Sequence, residues 1–559
     1  MHMPPQGPAR AQGPDVPLKY SNLLLALLIS LACLRIISTY FVFSNTVDEP
    51  AHIACGLEWL DRHAWTLESL HPPLARILAA LGPWLMGARS HPELGMWSEG
   101  FRILGSGHHY DIALAVARLG ILPLFVIAAT AVYSWARRIA SRRGALFAVL
   151  IFTTTPPVLA HASLATTDFA LAAFSATSVV AALYFLEPPT SRIQTALRAA
   201  LLGLSLGLAI SSKFSALVFL PAMLSVLLVW RCMPNPRRPD FSPLRTAALY
   251  APLIALAAFA TVWSIYRFSF SRDPVLGFSV PFPELFAGLR MLREKNAFGS
   301  PAYLCGRCSL SGFWYYFSAV LSVKTPLGML ALLALGICFA ARRRPRVLLC
   351  PLSVVAVVLI AASFSRIDIG LRHILVVYPA LSVAAGITLE RAWNGVNRGV
   401  VFALTAALLL WHLASGAIAH PDYLAYTNEL ALPTPENVLV DSDLDWGQDM
   451  KRLALRARQL GIREMASETM GASYVLAGNA FPKALPFDWR RPAPGWNAVS
   501  VTPWKLRCFF VKGYRRPTDL WPDAATPVEK IGKSTYLFYF PPDGHRFTPK
   551  EPSGVRGGQ

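Results

Sequence analysis

The sequence predicts a polytopic α-helical membrane protein with a small α/β domain at its carboxyl end. Of the 559 residues, 54% are hydrophobic and only 15% are charged, and the mean hydropathy is +0.43. Soluble domains carry about 25% charged residues, so this composition excludes an ordinary soluble protein. Two further observations support the prediction: a series of long apolar stretches, and the position of the basic residues between them.

The apolar stretches predict about eleven membrane spans, because each is close to the ~20 residues that cross a bilayer. The polar, proline-rich segment 1–19 has no cleavable signal pattern, which indicates that the first span is retained as an anchor. The stretches lie at about 22–43, 112–135, 144–163, 168–186, 197–212, 214–230, 246–266, 326–341, 347–363, 373–390 and 399–418.

The basic residues predict the orientation of the chain. The net charge of +20 does not indicate nucleic-acid binding, because the arginines cluster in short connections between spans, and such clusters mark cytoplasmic loops. The clusters are Arg137, Arg138, Arg142 and Arg143; Arg231, Arg237 and Arg238; and Arg342, Arg343, Arg344 and Arg346. With a cytoplasmic amino terminus, an odd number of spans places the carboxyl tail outside. We therefore expect a multi-pass protein of the plasma (inner) membrane with an extracytoplasmic tail.

The predicted domains follow from this topology. They are a cytoplasmic tail (1–21), a transmembrane domain (22–419) with outer loops at about 44–111 and 267–325, and an extracytoplasmic α/β domain (420–559). Amphipathic or short apolar stretches predict surface helices at Leu74–Met86 and Pro283–Lys295 and a helix at Trp446–Leu460. Strands are predicted at Glu436–Asp441, near Ala498–Val501 and at Thr535–Phe540. No internal repeat is visible, which disfavours the inverted-repeat transporters.

An acidic pair, Asp48 and Glu49, follows the first predicted span. Ionised groups at membrane level are costly and usually face a functional cavity. A carboxylate held there could deprotonate an acceptor hydroxyl. The alternative interpretation is an acidic loop start that only ends the helix.

Further ionisable residues are predicted on the same outer side. Asp168 begins the fourth span, Lys213 interrupts an apolar run, and Arg366, Asp368 and Arg372 precede the tenth span. Snorkelling of a long side chain to the interface explains Lys213 alone equally well, but it does not explain the whole one-sided set. Basic groups facing a cavity would bind an anion, and arginine matches phosphate oxygens well.

The cysteines and the tail aspartates give weaker signals. For Cys305 and Cys308, a local disulfide or two ordinary thiols is favoured over redox catalysis. Asp441, Asp443 and Asp445 resemble the start of a calcium loop, but Trp446 and Arg452 stand where an EF-hand has Gly and Glu. A strand-to-helix turn with acidic helix capping is the preferred interpretation. We predict no cofactor and no required metal, and a divalent metal is left open.

Five sequence features together resemble the protein O-mannosyltransferases and the aminoarabinose transferases of lipid A. They are the Asp48-Glu49 pair, His71-Pro-Pro-Leu74 with Arg76 soon after, Thr167-Asp168, Lys213 in a Lys-Phe-Ser context, and Arg372-His373 before Tyr378-Pro379. They cover about residues 40–390 in the same order and topology. The tail from Asp441 to Asp449 is similar to that of uncharacterised bacterial members of the same superfamily. The resemblance implies the GT-C fold and a polyprenyl-phosphate-linked sugar donor.

Two departures limit what the resemblance implies. No outer loop is long enough for the lumenal β-trefoil domain of the eukaryotic mannosyltransferases, so protein mannosylation is not implied. Arg76 stands where those enzymes usually have Lys, which keeps the charge but changes the hydrogen-bond geometry. The acceptor, whether lipid, glycan or protein, stays open.

The resemblance also implies a set of roles. Asp48 would act as general base, and Glu49 would orient either the acceptor or Asp48. Arg76, Lys213 and Arg372 would bind the donor phosphate, and His71, Asp168 and His373 would contact the acceptor or the sugar. The alternative function is a polytopic transporter or lipid-linked-sugar flippase without transferase activity. Charges collected on one side disfavour it, because transporters place polar groups near mid-membrane in both halves.

Overall fold

The computed structural model describes residues 16–105, 109–188, 191–233, 239–342, 346–394, 398–511 and 520–542. Most of the predicted cytoplasmic tail and Arg237, Arg238, Arg343 and Arg344 lie outside these ranges. The first half of the chain is helical. Its helices are α1 (Leu18–Ile37), α2 (Glu49–Arg62), α3 (Leu74–Leu85), α4 (Gly95–Gly105), α5 (Tyr110–Leu119), α6 (Leu122–Ile139), α7 (Arg142–Thr154), α8 (Pro156–Ala162), α9 (Asp168–Phe185), α10 (Arg192–Ile210), α11 (Ala216–Cys232) and α12 (Ser242–Ile265).

Two short hairpins and six helices complete the membrane region. The hairpins are β1 (Phe270–Arg272) with β2 (Ser279–Pro281), and β3 (Ala302–Leu304) with β4 (Arg307–Ser309), both antiparallel. The helices are α13 (Pro283–Phe298), α14 (Tyr316–Lys324), α15 (Leu327–Arg342), α16 (Arg346–Ala362), α17 (Val377–Trp393) and α18 (Arg398–Ile418). The two predicted surface helices are thus α3 and α13.

The tail folds as a small α/β unit around one mixed sheet. Its elements are α19 (Met450–Gln459), β5 (Glu464–Glu468), α20 (Ala472–Leu476), β6 (Lys483–Leu485), β7 (Gly495–Ser500), α21 (Val501–Lys505), α22 (Arg507–Phe510), α23 (Trp521–Ala524), β8 (Glu529–Ile531) and β9 (Thr535–Phe540). The strand order is β6-β5-β7-β9-β8. Strand β5 is parallel to both of its neighbours, whereas β9 is antiparallel to β7 and β8. The predicted fold class, a polytopic helical protein with a small α/β tail, is confirmed.

In the described ranges, six helical stretches are long and apolar enough to cross a membrane, one of them α5 and α6 taken together (Tyr110–Ile139). The number rises to eight if each of two bent helix pairs is one span. The pairs are α7 with α8, bent by 65°, and α14 with α15, bent by 111°. Pro156 begins α8 and Pro326 precedes α15, where proline cannot continue the preceding helix. The predicted count of about eleven spans stays a prediction.

The helices differ sharply in how much of their surface is covered. In the apolar window of α9, 78% of the residues are buried, against 6% in α12, so α9 lies inside the bundle and α12 at its edge. Helix α17 is also central and packs closely on α7. A Cβ added at Gly386 would stand 2.6 Å from the backbone nitrogen of Ala148, so only glycine permits this approach.

The structure corrects three local predictions. The segment Glu436–Asp441 is not a strand: it contains a 3-10 turn at Pro435–Asn437, and a second turn begins at Asp441, whose φ is +57°. The helix predicted from Trp446 begins only at Met450, because Gly447 has a φ of +88°. Cys308 forms a disulfide with Cys508 of α22, not with Cys305, and Cys305 is a free, exposed thiol.

Candidate active site

Asp48 lies immediately before α2, where the chain leaves the first span. Its side chain is 27% exposed, and its Oδ2 accepts a hydrogen bond from Nη1 of Arg372 at 2.8 Å. It makes no side-chain cap for α2. The carboxylate is therefore held by one arginine and remains partly exposed.

Arg372 belongs to a 3-10 turn, Leu371–Ile374, that precedes α17. Besides Asp48, its Nη1 lies 3.8 Å from Oδ2 of Asp168, and its guanidinium carbon lies 4.1 Å from the ring centre of Trp446. Within the described part of the chain, its buried Nε has no hydrogen-bond partner. Arg372 thus bridges two carboxylates, and its Nε–H remains available as a hydrogen-bond donor.

Asp168 and Lys213 form the other end of this network. Asp168 is the first residue of α9 and is buried, and it pairs with the ammonium group of Lys213 in the α10–α11 connection. Burial lowers the pKa of Lys213, and the charge of Asp168 opposes that shift. Four of the predicted residues, Asp48, Asp168, Lys213 and Arg372, are therefore joined in one ion-pair network, which we call the central network.

Arg76 and His71 lie in a second cluster beside the central network. Arg76 is buried at the start of α3, forms an ion pair with Glu68, and donates from Nε to Nδ1 of His52 at 2.9 Å. Nδ1 of His71 lies 3.3 Å from Oε2 of Glu68 and 3.2 Å from Nη2 of Arg76. Burial opposes ionisation of Glu68, yet the Arg76 guanidinium holds the pKa of that carboxyl well below its usual range. The charge of Arg76 is therefore already balanced within the protein.

His373 follows Arg372 and presents a neutral imidazole. Burial lowers its pKa well below the ordinary value, and the positive charges of Lys213 and Arg372 act in the same direction. Among the residues that the structure describes, none contacts its buried Nε2 by a hydrogen bond. A neutral ring with a spare nitrogen is suited to a hydroxyl group of a bound substrate.

Glu49 makes different contacts from its neighbour. It is 0% exposed and accepts hydrogen bonds from Nε and Nη2 of Arg118, both at 2.8 Å. The backbone N–H groups of Thr46 and Ala165 donate to it at 2.8 and 2.9 Å. These contacts tie α2 to α5 and to the connection before α9. They favour an anchoring role for Glu49, and its predicted role in orienting the acceptor or Asp48 stays a prediction.

The tail aspartates hold backbone segments together and do not cap α19. Asp443 accepts from the N–H of Leu371 at 2.9 Å, and Asp445 accepts from that of Thr502 at 2.9 Å. Asp449 precedes α19 but makes no cap hydrogen bond to it; it accepts from Ser534 Oγ at 2.8 Å. In the described ranges, no group of three or more His, Cys, Asp or Glu residues is arranged to hold a metal ion.

Arg366 and Asp368 lie apart from the central network. Asp368 accepts a hydrogen bond from the backbone N–H of Phe313 at 2.6 Å, and burial raises its pKa to about 6. Arg366 is exposed and donates to the carbonyl oxygen of Ala297 at 3.3 Å. Both connect the second outer loop to the chain that carries Arg372.

Sequence reasoning missed several residues of the site. Arg118 is a lone arginine inside a predicted span, and Glu68 stands three residues before His71; both were detectable signals. Trp446 gave no chemical signal beyond its acidic neighbours. Asp441 adopts a positive φ, and burial raises its pKa to about 7 although the charge of Arg372 opposes the shift.

Comparison with known proteins finds one matching family model and several structures of similar fold. Residues 25–273 match the family model described as "Dolichyl-phosphate-mannose-protein mannosyltransferase". ArnT from Cupriavidus metallidurans in the apo state is similar over 93% of this chain and 98% of that chain, with a TM-score of 0.50 and 15% identity. Its structure bound to undecaprenyl phosphate gives a TM-score of 0.48, 14% identity and coverages of 92% and 97%. The S. cerevisiae Pmt1-Pmt2 complex bound to the sugar donor gives 0.35 and 19%, over 45% of this chain and 34% of that chain. No curated protein sequence matches.

The fold and the family match together define the class: this chain is a membrane-embedded glycosyltransferase with the GT-C fold. The resemblance to the protein O-mannosyltransferases and the lipid A aminoarabinose transferases is confirmed. The matched range contains Asp48, Asp168 and Lys213, whereas Arg372 lies beyond it.

Proposed function

We propose that this chain transfers a sugar from a polyprenyl-phosphate-linked donor to a hydroxyl acceptor at the extracytoplasmic face of the membrane, with inversion at the anomeric carbon. The observation that carries the proposal is the Asp48–Arg372 pair at 2.8 Å. It places a partly exposed carboxylate beside a guanidinium, which are the two groups that an acceptor hydroxyl and a phosphate leaving group require. The matching family's description, which names dolichyl-phosphate-mannose, supports a donor of this kind.

The proposed reaction is a single displacement. The acceptor oxygen attacks the anomeric carbon as the bond from that carbon to the phosphate oxygen breaks, and the bonding electrons leave with the polyprenyl phosphate. Asp48 takes the proton of the acceptor hydroxyl. Arg372 and Lys213 stabilise the negative charge that grows on the departing phosphate.

Entry of the donor would also prepare the base. Without substrate, Asp48 and Asp168 share Arg372. A donor phosphate would bind the Nε–H of Arg372, which is unpartnered within the described residues, because arginine has several donors and can bind phosphate without releasing Nη1. The added negative charge weakens the attraction between Arg372 and Asp48 and so prepares the carboxylate to take the proton of the acceptor. Asp168 keeps Lys213 charged and in place.

The remaining predicted residues take secondary roles in this proposal. His373, with its spare Nε2, and His71 contact hydroxyl groups of the sugar or acceptor. Arg76 contributes less to phosphate binding than Arg372, because Glu68 already balances its charge. We propose no resident metal. The acceptor is a lipid, glycan or protein hydroxyl.

The test uses the full-length purified protein with a panel of labelled polyprenyl-phosphate sugars and native membranes, and mass spectrometry identifies the labelled product. We expect Asp48→Asn to lower transfer by about 10²–10⁴-fold, the usual contribution of a general base. Asp61→Asn is the matched control, since that carboxylate lies in the same outer loop but accepts from the backbone N–H of Ser90. Near-normal transfer by Asp48→Asn would show that the base assignment is wrong. Movement of donor across liposome membranes without any product would favour the transporter or flippase.

A further inference from the structure

Residues 441–449, which we call the tail clamp, hold the segment that leads into Asp48. The N–H of Val47 donates to the carbonyl oxygen of Trp446 at 3.0 Å, and the N–H of Ser44 donates to that of Gln448 at 3.1 Å. The hydroxyl of Ser44 shares its one proton between the carbonyl oxygens of Gly447 and Gln448. Three donors thus fix the backbone just before the candidate base, over a separation of about 400 residues.

The same clamp also holds the turn that carries Arg372. The carboxylate of Asp443 accepts from the N–H of Leu371 at 2.9 Å, and the hydroxyl of Ser442 donates to the carbonyl oxygen of Ile369. Lys324 Nζ donates to the carbonyl oxygen of Asp443 and so ties the clamp to α14. The clamp therefore connects the two chain segments whose side chains form the Asp48–Arg372 pair.

Trp446 stands between these two sets of hydrogen bonds. It is 2% exposed, and its ring centre lies 4.1 Å from the guanidinium carbon of Arg372. Its backbone N–H donates to Oε1 of Gln448 at 2.7 Å, which helps to fix the base of the side chain. A buried aromatic face attracts a guanidinium and restricts its rotation.

We propose that Trp446 is a positioning residue for sugar transfer: it fixes the guanidinium of Arg372 so that Nη1 meets Asp48 while Nε remains available to the donor phosphate. This inference rests on the proposed function and extends it to a tail residue. A fixed cation favours the transition state because the phosphate gains charge as it leaves. Trp446 does not itself touch the reacting atoms.

The test is a double-mutant cycle between Trp446 and Arg372. We expect Trp446→Leu to lower kcat about tenfold while the donor KM changes less than twofold, because the effect appears as the phosphate gains charge. Trp446→Phe keeps an aromatic face and should recover kcat to within about threefold of the wild type. In an Arg372→Lys background, Trp446→Leu should have less than a twofold further effect, because residues that act through one another are not additive.

Trp504→Leu is the matched control, because Trp504 also stacks on a cation, Lys505 at 4.6 Å, but lies outside the central network and the clamp. It should leave kcat unchanged. A loss of kcat that follows the melting temperature and is equal in the Phe and Leu variants would overturn the proposal, as would additive effects in the cycle. If Trp446→Leu does not fold, Trp446→Met takes its place.

A second readout separates this proposal from the function on which it rests. Undecaprenyl phosphate, added to the purified protein and measured by native mass spectrometry, should bind about fivefold more weakly to Trp446→Leu and normally to Trp446→Phe. If the wild type transfers no sugar, the proposed function fails, and this binding difference alone decides the role of Trp446. Equal binding of undecaprenyl phosphate by both variants, or no binding by the wild type, would overturn the proposed role of Trp446.

Discussion

At the scale of single residues, two adjacent carboxylates have different surroundings. Asp48 precedes α2, is partly exposed and pairs with Arg372, whereas Glu49 begins α2 and is enclosed with Arg118. Successive helical positions differ by about 100° in direction, so neighbouring side chains face different parts of the fold. The sequence indicated that the pair was functional, but only the three-dimensional contacts separate the base candidate from the anchor.

Glu49→Gln should destabilise the protein far more than Asp48→Asn. The substitution leaves the buried Arg118 without a charged partner, and breaking a buried ion pair costs about 3–5 kcal/mol. Thermal unfolding in a fixed detergent measures the difference, with Asp48→Asn as the matched control because Asp48 is partly exposed. If Glu49→Gln unfolds like the wild type yet transfers no sugar, Glu49 is a catalytic residue and not an anchor.

Asp441 should make the tail less stable as the pH rises. Burial raises the pKa of its carboxyl from the ordinary value of 3.8 to about 7, so the folded state binds the proton more tightly than the unfolded state. The resulting stability is complete below about pH 4 and is lost as the pH rises through about 7. Asn cannot ionise, so Asp441→Asn should raise the melting temperature at pH 8 by about 2–4 °C more than at pH 5.

For Asp441→Asn, the shift of the melting temperature at pH 5 serves as the control for the shift at pH 8. Asn also tolerates the positive φ at this position well, but that gain does not depend on pH. Equal shifts of the melting temperature at pH 5 and pH 8 would contradict the raised pKa.

At the scale of elements, the most accurate predictions concern helices and strands that the local sequence determines. The helix predicted at 168–186 is α9, and the strand predicted at Thr535–Phe540 is β9 with the same bounds. Apolar length and alternation determine these elements without distant partners. The failed strand at Glu436–Asp441 also has apolar residues, but its conformation depends on distant contacts, such as the hydrogen bond from the N–H of Asp441 to Thr502 Oγ1. A single sequence cannot reveal such partners.

The disulfide between the second outer loop and the tail gives a prediction at this scale. Cys308 of β4 and Cys508 of α22 close 200 residues of chain, and a disulfide stabilises a fold by typically about 2–4 kcal/mol. Reductant, or Cys308→Ser, should lower the melting temperature, and reductant should have no further effect on Cys308→Ser. Cys305→Ser is the matched control on the same hairpin and should unfold like the wild type. If Cys305→Ser no longer forms a disulfide, the native pairing is the local one between Cys305 and Cys308.

At the scale of the whole molecule, residues far apart in the chain converge on one site. The central network takes Asp48 from the residue before α2, Asp168 from α9, Lys213 from the α10–α11 connection and Arg372 from the turn before α17. Predicted sidedness grouped these four residues from the sequence, but it also included Arg366 and Asp368, which lie apart from the network. It could not reveal that Glu68 balances Arg76, or that Trp446 of the tail stacks on Arg372, because those contacts depend on how loops and tail pack on the bundle.

The predicted orientation can be tested with thiols on opposite sides of the membrane. Cys305 is free and exposed in the outer loop, so a membrane-impermeant maleimide should label the wild type in intact cells or spheroplasts but not Cys305→Ser. Asn394 is exposed at the end of α17 and accepts from Arg143, which belongs to a cluster predicted to be cytoplasmic. Asn394→Cys in the Cys305→Ser background should therefore react only after permeabilisation.

The reverse labelling pattern would show that the protein has the opposite orientation in the membrane. The arginine clusters would then lie outside, against the usual distribution of positive charge, and the central network would open to the cytoplasm. A lipid-linked donor would have to be used in the inner leaflet, and the Cys308–Cys508 disulfide would lie in a reducing compartment, where disulfides are rare. Labelling of Cys305 from outside therefore tests on which side of the membrane sugar transfer takes place. It also tests whether the Cys308–Cys508 disulfide, which joins the outer loop to the tail, lies in an oxidising compartment.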